Sequence, residues 1–398
     1  MRLGISLFGV DGGRSGISRY VISLLREMVD LEPSIQFDLV GFDADRELFP
    51  VERSNVAWIS AGVVEPGALT SNLQHQVWLP ALALRRRWDG LFLPAANRRA
   101  LIWAPCPTLG TIHDLSSLHV EGKYDRVRTL YIKHVLPFLS RRLTSIVAVS
   151  ESTATDVIRY TGVASDRVTV VPNAVDHDTF FPTAKEEARG RVARWVGNRP
   201  YALYLSRIEH PGKNHVRLIR AYERLRAAGA ITQRLVFCGG DWNGSEEVHR
   251  YVEASDYAAD IVFTGFVPSE YLRDLYCAAD AMVFPSLFEG FGLPILEAMA
   301  CGIPVACSDV SSMPEVAGTA AVLFDPSSEE DIARAVSSLL TDHDCRAALR
   351  RRGMEQSRGF TWENSASQTL QALHAMESST RESTVDLEAK APGEAVIR

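Results

Sequence analysis

The chain has 398 residues, of which 46% are hydrophobic and 23% charged, with a formal net charge of −7. That length and balance describe an α/β-sized globular protein of two ordinary domains and exclude a fibrous or compositionally disordered chain. No window approaches 18 uninterrupted apolar residues, the opening MRLGISLFGV lacks a signal-peptide core, and the acidic total argues against a nucleic-acid partner, so a cytoplasmic protein is expected.

From the N-terminus, residues 3–8 read as a strand that passes through a glycine-bearing loop, 9–16, into an amphipathic helix at 16–28. Gly12, Gly13 and Gly16 give that loop a loose likeness to a dinucleotide turn, but GxGxxG spacing is absent and a nicotinamide cofactor is disfavoured. Further strands are expected at 37–41, 90–93, 108–112 and 145–149, with helices at 123–139 and 152–160. His113 follows the 108–112 strand, where its ring can point into a cleft or simply be a satisfied structural histidine. Between Arg85 and Arg142 eleven basic residues (Arg85, Arg86, Arg87, Arg98, Arg99, Lys123, Arg126, Arg128, Lys133, Arg141 and Arg142) meet four acids (Asp89, Asp114, Glu121 and Asp125). With Trp78, Leu79, Leu82, Leu84 and Trp88 nearby, this stretch suits an acidic leaflet or a lipid-pyrophosphate acceptor; a solvated arginine-rich face is the alternative.

The polar stretch 183–198 is the linker candidate, although 185–196 is also compatible with a helix. A second series follows: strands at 201–205, 234–238, 261–264, 281–284 and 305–307, and helices at 216–228, 269–278 and 294–299. Strands alternating with helices in both halves predict two Rossmann-like domains, with ligands favoured at the carboxyl ends of the strands. The last residues, 378–398, are polar and expected to be a disordered tail. The six cysteines form no CxxC pair and read as reduced, buried thiols, and the ten histidines show no HxxxH or HExxH pattern, so no metal site is indicated.

Two strand ends carry chemistry. After 201–205, Arg207 and Lys213 stand six residues apart around a turn, a guanidinium fork and a mobile ammonium that together suit a diphosphate, or else an exposed loop pair. After 281–284, the run SLFEGFGLPILEAMACGIPV joins a glycine turn to a helix with Pro294 expected at its first position and Glu297 in its first turn. The free N–H groups of such a helix favour an anion. Glu289 and Glu297 bracket it, each also explicable as a solvated loop acid or a helix-terminal acid.

Glu289-x7-Glu297, SRIEHPGKN, VPNAVDHDTFFP and Arg358-Gly-Phe-Thr-Trp362 together resemble GT-B glycosyltransferases of family 4, over residues 1 to about 374. The resemblance implies two Rossmann-like domains facing a cleft, with boundaries at 1–182, 183–198, 199–359 and a crossover helix at 360–377. It implies a retaining hexosyltransferase that uses a nucleotide sugar and needs no metal cofactor. Arg207 and Lys213 are then expected on the donor diphosphate, Glu297 on the ribose, and Glu289 and His113 on the donor sugar. Backbone N–H groups of Phe291, Gly292 and Leu293 join them, Gly12, Gly13 and Gly16 border phosphate and acceptor, and the base lies near Gly239, Gly240, Phe266 and Val267. The fragments Thr111–Ser116 and Glu209–Asn214 are similar to bacterial mannosyltransferases of polysaccharide or O-antigen assembly. They imply GDP-mannose and a lipid-linked saccharide acceptor; a UDP-hexose transferase, a GT-B epimerase and a non-catalytic nucleotide-sugar binder are the alternatives.

Overall fold

A computed structural model of the chain describes residues 1–13, 15–120 and 130–389, with 379–389 described by their backbone. Two parallel sheets organise it. The first contains β1 (Arg2–Ser6), β2 (Gln36–Gly41), β3 (Val56–Ser60), β4 (Gly90–Leu93), β5 (Thr108–Ile112), β6 (Ser145–Ala148) and β7 (Val168–Val170), in the order β3-β2-β1-β4-β5-β6-β7. The second contains β8 (Tyr201–Leu205), β9 (Arg234–Cys238), β10 (Ile261–Phe263), β11 (Ala281–Phe284), β12 (Val305–Ser308) and β13 (Ala321–Phe324), in the order β10-β9-β8-β11-β12-β13. Both orders reverse once, between β1 and β4 and between β8 and β11. In an open parallel sheet that reversal leaves a crevice outside the strand ends, where ligands bind.

Short apolar runs make these strands because both faces are covered: all four residues of β4 and of β11 are buried. The covering helices are amphipathic. In Gly16–Leu31 the buried set Ile17, Tyr20, Val21, Leu24, Leu25 and Met28 follows helical spacing, and Ser15 caps the start by accepting from Ser18 N at 3.3 Å.

The polar stretch 183–198 is not an open linker. It forms the helix Lys185–Val196, whose Ala188, Val192 and Val196 recur every fourth residue and are fully buried in the second domain's core. The final helix runs Trp362–Ala389, so 378–389, expected as disordered tail, continues the helix; 390–398 lie outside the described residues. This helix returns to the first domain, where Trp362, Ala366, Leu370, Leu373 and Met376 join the core beneath β1 and the helix Gly16–Leu31. Each fully buried large side chain there contributes about 1.5–3 kcal/mol.

The helix expected at 123–139 begins outside the described residues; within them Tyr131–Val135 is a π-turn followed by Leu136–Ser140. All six cysteines are free, but Cys106 and Cys345 are only partly buried, against the expectation of uniform burial.

Candidate active site

The loops after β8 and β11 fold onto each other as one unit. Leu287 N donates to Gly212 O at 3.0 Å, and Asn214 Nδ2 donates to the carbonyls of Pro285 and Pro326 at 3.0 and 2.8 Å. Asn214 adopts φ 59°, a left-handed turn that caps the helix His215–Ala227. The consequence is a close approach of Lys213 to Glu289: Nζ donates to Oε1 at 2.6 Å, with side chains 13% and 16% exposed. Arg207 stands earlier on the same loop, six residues before Lys213. Its Nη2 is 3.1 Å from Glu209, and its guanidinium sits 4.8 Å from the centre of the Trp242 ring.

The second carboxylate is held from both domains. Glu297 accepts from Tyr276 OH at 2.7 Å through one oxygen and from Arg19 Nη1 at 3.0 Å through the other. Burial first, and then the neighbouring carboxylate, push the Tyr276 phenol well above its ordinary range, so it stays a neutral donor. The helix bearing Glu297 is Leu293–Ala300, with Gly292 at φ 100° as its N-cap. Pro294 is therefore the second helical residue and Glu297 the fifth, one position further into the helix than the sequence suggests. Phe291, Gly292 and Leu293 form this helix start, where first-turn N–H groups generally lack intrahelical partners and favour an anion, although Ile295 N donates to Gly292 O at 2.9 Å.

The first domain supplies the opposite wall. Gly12 and Gly13 take φ 65° and 79°, and a Cβ built on Gly16 would stand 3.8 Å from Leu293 Cδ1 across the cleft. His113 is 7% exposed, packs edge-on against Tyr20 at 4.7 Å, and places Nε2 2.8 Å from Pro94 O. A carbonyl only accepts, so Nε2 carries the proton and Nδ1 is the acceptor. Burial pulls His113 down to about 4, against the hydrogen bond to Pro94, and holds the ring neutral near pH 7. The two domains meet around Gly290: its carbonyl accepts from Ser150 Oγ at 2.7 Å and Thr153 Oγ1 at 3.2 Å, while His119 stacks on Phe288 at 4.3 Å.

The expected base subsite divides. Gly239, at φ 147°, bridges to Gly265, and a Cβ on it would lie 2.1 Å from Ser206 O, so the close approach demands glycine. Gly240 borders open space and Phe266 is 71% exposed, whereas Val267 is 4% exposed within the core and presents no side chain to a ligand. Arg19 and Tyr276 were not legible as site residues. Arg19 sits three residues beyond Gly16, in the first turn of a helix that starts at the cleft, which is the signal that could have marked it.

Three buried histidines set an acid limit on the fold. Desolvation lowers His113 to about 4 and His75 and His215 to about 3, so all three are neutral when folded. Their unfolded value is about 6.5, so the unfolded chain binds more protons below that pH. Their stabilisation is fully present above about pH 6.5 and is lost as pH falls towards 4. Three protons correspond to a loss of roughly 4 kcal/mol per pH unit between about pH 6 and 4.5. Urea unfolding at pH 7 and pH 5 measures this directly; equal stability at both would show that these rings are charged in the fold.

Two parallel, doubly wound domains that close on a cation-bearing pair of loops form the GT-B arrangement. The fold is matched by sucrose-phosphate synthase from Thermosynechococcus elongatus with a TM-score of 0.76, covering 95% of this chain and 100% of that one at 19% identity. The description Glycosyltransferase Family 4 matches residues 14–179 and Glycosyl transferases group 1 matches residues 186–356. O-antigen chain mannosyltransferase B of Escherichia coli is 34% identical over 266 residues, 66% of this chain and 68% of that protein. Serotype-specific mannosyltransferase WbdA of Escherichia coli is 33% identical over 298 residues, 73% of this chain but 35% of that longer protein. The chain belongs to the family 4 glycosyltransferases and is a hexosyltransferase.

Proposed function

We propose that the chain transfers mannose from GDP-mannose, with retention, to a lipid-linked saccharide during polysaccharide or lipopolysaccharide assembly. The observation that carries this reading is the Lys213–Glu289 pair, which joins the Arg207-bearing loop after β8 to the loop that leads from β11 into the helix Leu293–Ala300. As the nucleoside diphosphate departs, negative charge grows on its phosphate while the anomeric carbon becomes cationic. Arg207, Lys213 and the first-turn N–H groups of Leu293–Ala300 are fixed beside that growing charge, which lowers the barrier without reorganisation. Glu289 is neutralised by Lys213, which makes it a poor nucleophile and a good acceptor for a sugar hydroxyl. His113 Nδ1 is a second acceptor for that sugar, and Glu297 receives the ribose hydroxyls. The mannosyltransferase relatives support the choice of sugar, and GDP is the leaving group of the proposed donor.

A thermal-shift panel of nucleotides and nucleotide sugars tests the donor. GDP and GDP-mannose at about 100 times their dissociation constants should add roughly 2.7 kcal/mol of stability. A response to UDP and UDP-hexoses alone would overturn the GDP assignment. No metal is required in this scheme because protein cations neutralise the leaving group, so turnover should persist in excess EDTA. Complete loss restored by Mg²⁺ or Mn²⁺ would show that this account of the leaving group is wrong.

The acceptor proposal has its own support. Helix turns Ala68–Leu73 and Leu79–Arg86, joined by a π-turn, expose Leu69, Leu73, Val77 and Leu84, and Arg85 and Arg87 flank them. The basic face is narrower than the sequence implies. Arg86 pairs with buried Asp38 at 3.3 Å, Arg98 bonds Gly9 O, Arg99 bonds Asn72 and Glu65, and Lys123, Arg126 and Arg128 lie outside the described residues. Among the described residues no helix is long and apolar enough to cross a membrane. The apolar stripe with its arginine flank suits peripheral contact with the cytoplasmic face of an acidic membrane, where each basic side chain is worth about 1 kcal/mol. Replacing Leu73 and Val77 with Ser, or Arg85 and Arg87 with Ser, should weaken sedimentation with acidic liposomes while leaving donor affinity intact. Failure of the wild type to bind such liposomes at low salt removes the membrane contact.

A further inference from the structure

Glu297 is the carboxylate on which the proposed function places the donor ribose, yet both its oxygens are already engaged. Its two partners differ in kind. Tyr276 is fully buried, belongs to the same domain and is fixed by packing. Arg19 comes from the other domain, its side chain is 35% exposed, and Glu297 beneath it is only 5% exposed. The guanidinium thus covers the solvent side of the carboxylate, and a ribose reaching Glu297 must displace it. The displaced group then has an anion at hand. Arg19 lies in the first turn of Gly16–Leu31, one turn from Gly16, and Gly16 itself faces Leu293 at the helix start assigned to the diphosphate. A long side chain carrying a planar fork suits transfer from a carboxylate to a phosphate.

We propose that Arg19 is an exchangeable latch between the domains: it holds Glu297 when the site is empty and moves to the donor diphosphate when the ribose takes Glu297. This rests on the reading of Glu297 as the ribose acceptor. Arg19 then serves twice. It keeps a buried acid paired in the empty enzyme, and it adds a cation from the opposite domain once donor is bound, so that closure and recognition of the diphosphate become one event.

The latch makes opposite predictions for ligands with and without phosphates. A nucleoside alone must break the Arg19–Glu297 pair with nothing to offer the arginine, whereas a nucleoside diphosphate compensates it. Calorimetric titrations of the full chain with guanosine and GDP, and in parallel with uridine and UDP, should therefore diverge in the Arg19→Ala variant. Nucleoside affinity should rise about two- to fivefold, the scale of one partly exposed ion pair. Affinity for the diphosphate should fall about tenfold or more, the scale of a lost charge-assisted bond to phosphate. The Arg19→Gln variant, which can still bond Glu297, should keep wild-type nucleoside affinity and share the loss for the diphosphate. A change of the same sign for both ligands in Arg19→Ala, or no change for either, would overturn the proposal. The Glu297→Ala variant separates the two levels: unchanged nucleoside affinity there would mean that the ribose site itself is misassigned, whatever Arg19 does. Unfolding curves that match wild type confirm that each variant is folded.

Discussion

Replacing Lys213 with Ala should lower turnover by about 10²–10³, the scale for removing one preorganised charge-stabilising group. The effect has two sources. The ammonium proposed to stand opposite the leaving diphosphate is lost, and Glu289 is left as a partly buried carboxylate that would repel that anion. Arg207→Ala should fall in the same range, because its guanidinium, steadied by Glu209 and Trp242, is the other cation proposed for that site. Both residues lie on a loop outside the core, so the variants should remain folded, with some stability lost in Lys213→Ala from the unpaired Glu289. Steady-state kinetics with the nucleotide sugar selected by the panel measures the loss. Near-normal turnover in a purified, folded Arg207→Ala/Lys213→Ala double variant would place the diphosphate elsewhere.

A single added methyl group at Gly290 should be comparably damaging for a different reason. A Cβ there would stand 1.8 Å from the carbonyl oxygen of His113 and 2.9 Å from Asp114 Cβ, atoms of the opposite domain. Two of the three nearest atoms are backbone and cannot rotate away, so the domains must separate to admit it. Separation would break the bonds from Ser150 and Thr153 to Gly290 O and draw His113 and Arg19 away from the second domain. A displacement of about 1 Å in a reacting site is enough to cost about 10²-fold, so Gly290→Ala should lose at least that much turnover. Each domain keeps its own core, and small-angle scattering should report a more open particle. Wild-type turnover in Gly290→Ala would show that the arrangement seen here is not the one that reacts.

Much of this architecture is legible in the sequence where apolar runs are short, buried and bounded by turn residues. Residues 90–93, 108–112, 201–205, 234–238 and 281–284 coincide with β4, β5, β8, β9 and β11, the central strands whose ends carry the site. The strands missed are β3, β7 and β13, all at sheet edges and half exposed, where alternation is blurred and no continuous apolar run forms. The helix Lys185–Val196 reads as linker or helix alike, because only Ala188, Val192 and Val196 face its core while six of the other nine residues are charged. Among site residues, the cations and acids in turns were visible because glycine and strand ends point to them. Arg19 and Tyr276 were not, since a polar residue on an amphipathic helix and an aromatic in a buried one are what ordinary packing produces. What selects them is a contact between positions 278 residues apart, for Arg19 and Glu297, and pattern along the chain carries no such information.

The returning helix Trp362–Ala389 also fixes an order of events during synthesis. The first domain is the earliest to leave the ribosome, yet part of its core is Trp362, Leu370, Leu373 and Met376, which are made after the whole second domain. Domains of a growing chain generally fold as units, N-terminal first. Here the first unit must wait with one apolar face uncovered, whereas the second takes from the first only Val149, Val175 and Phe180, which are already made when it folds. The second domain therefore has no such wait, and the nascent first domain is the stage at which a chaperone would have something to hold.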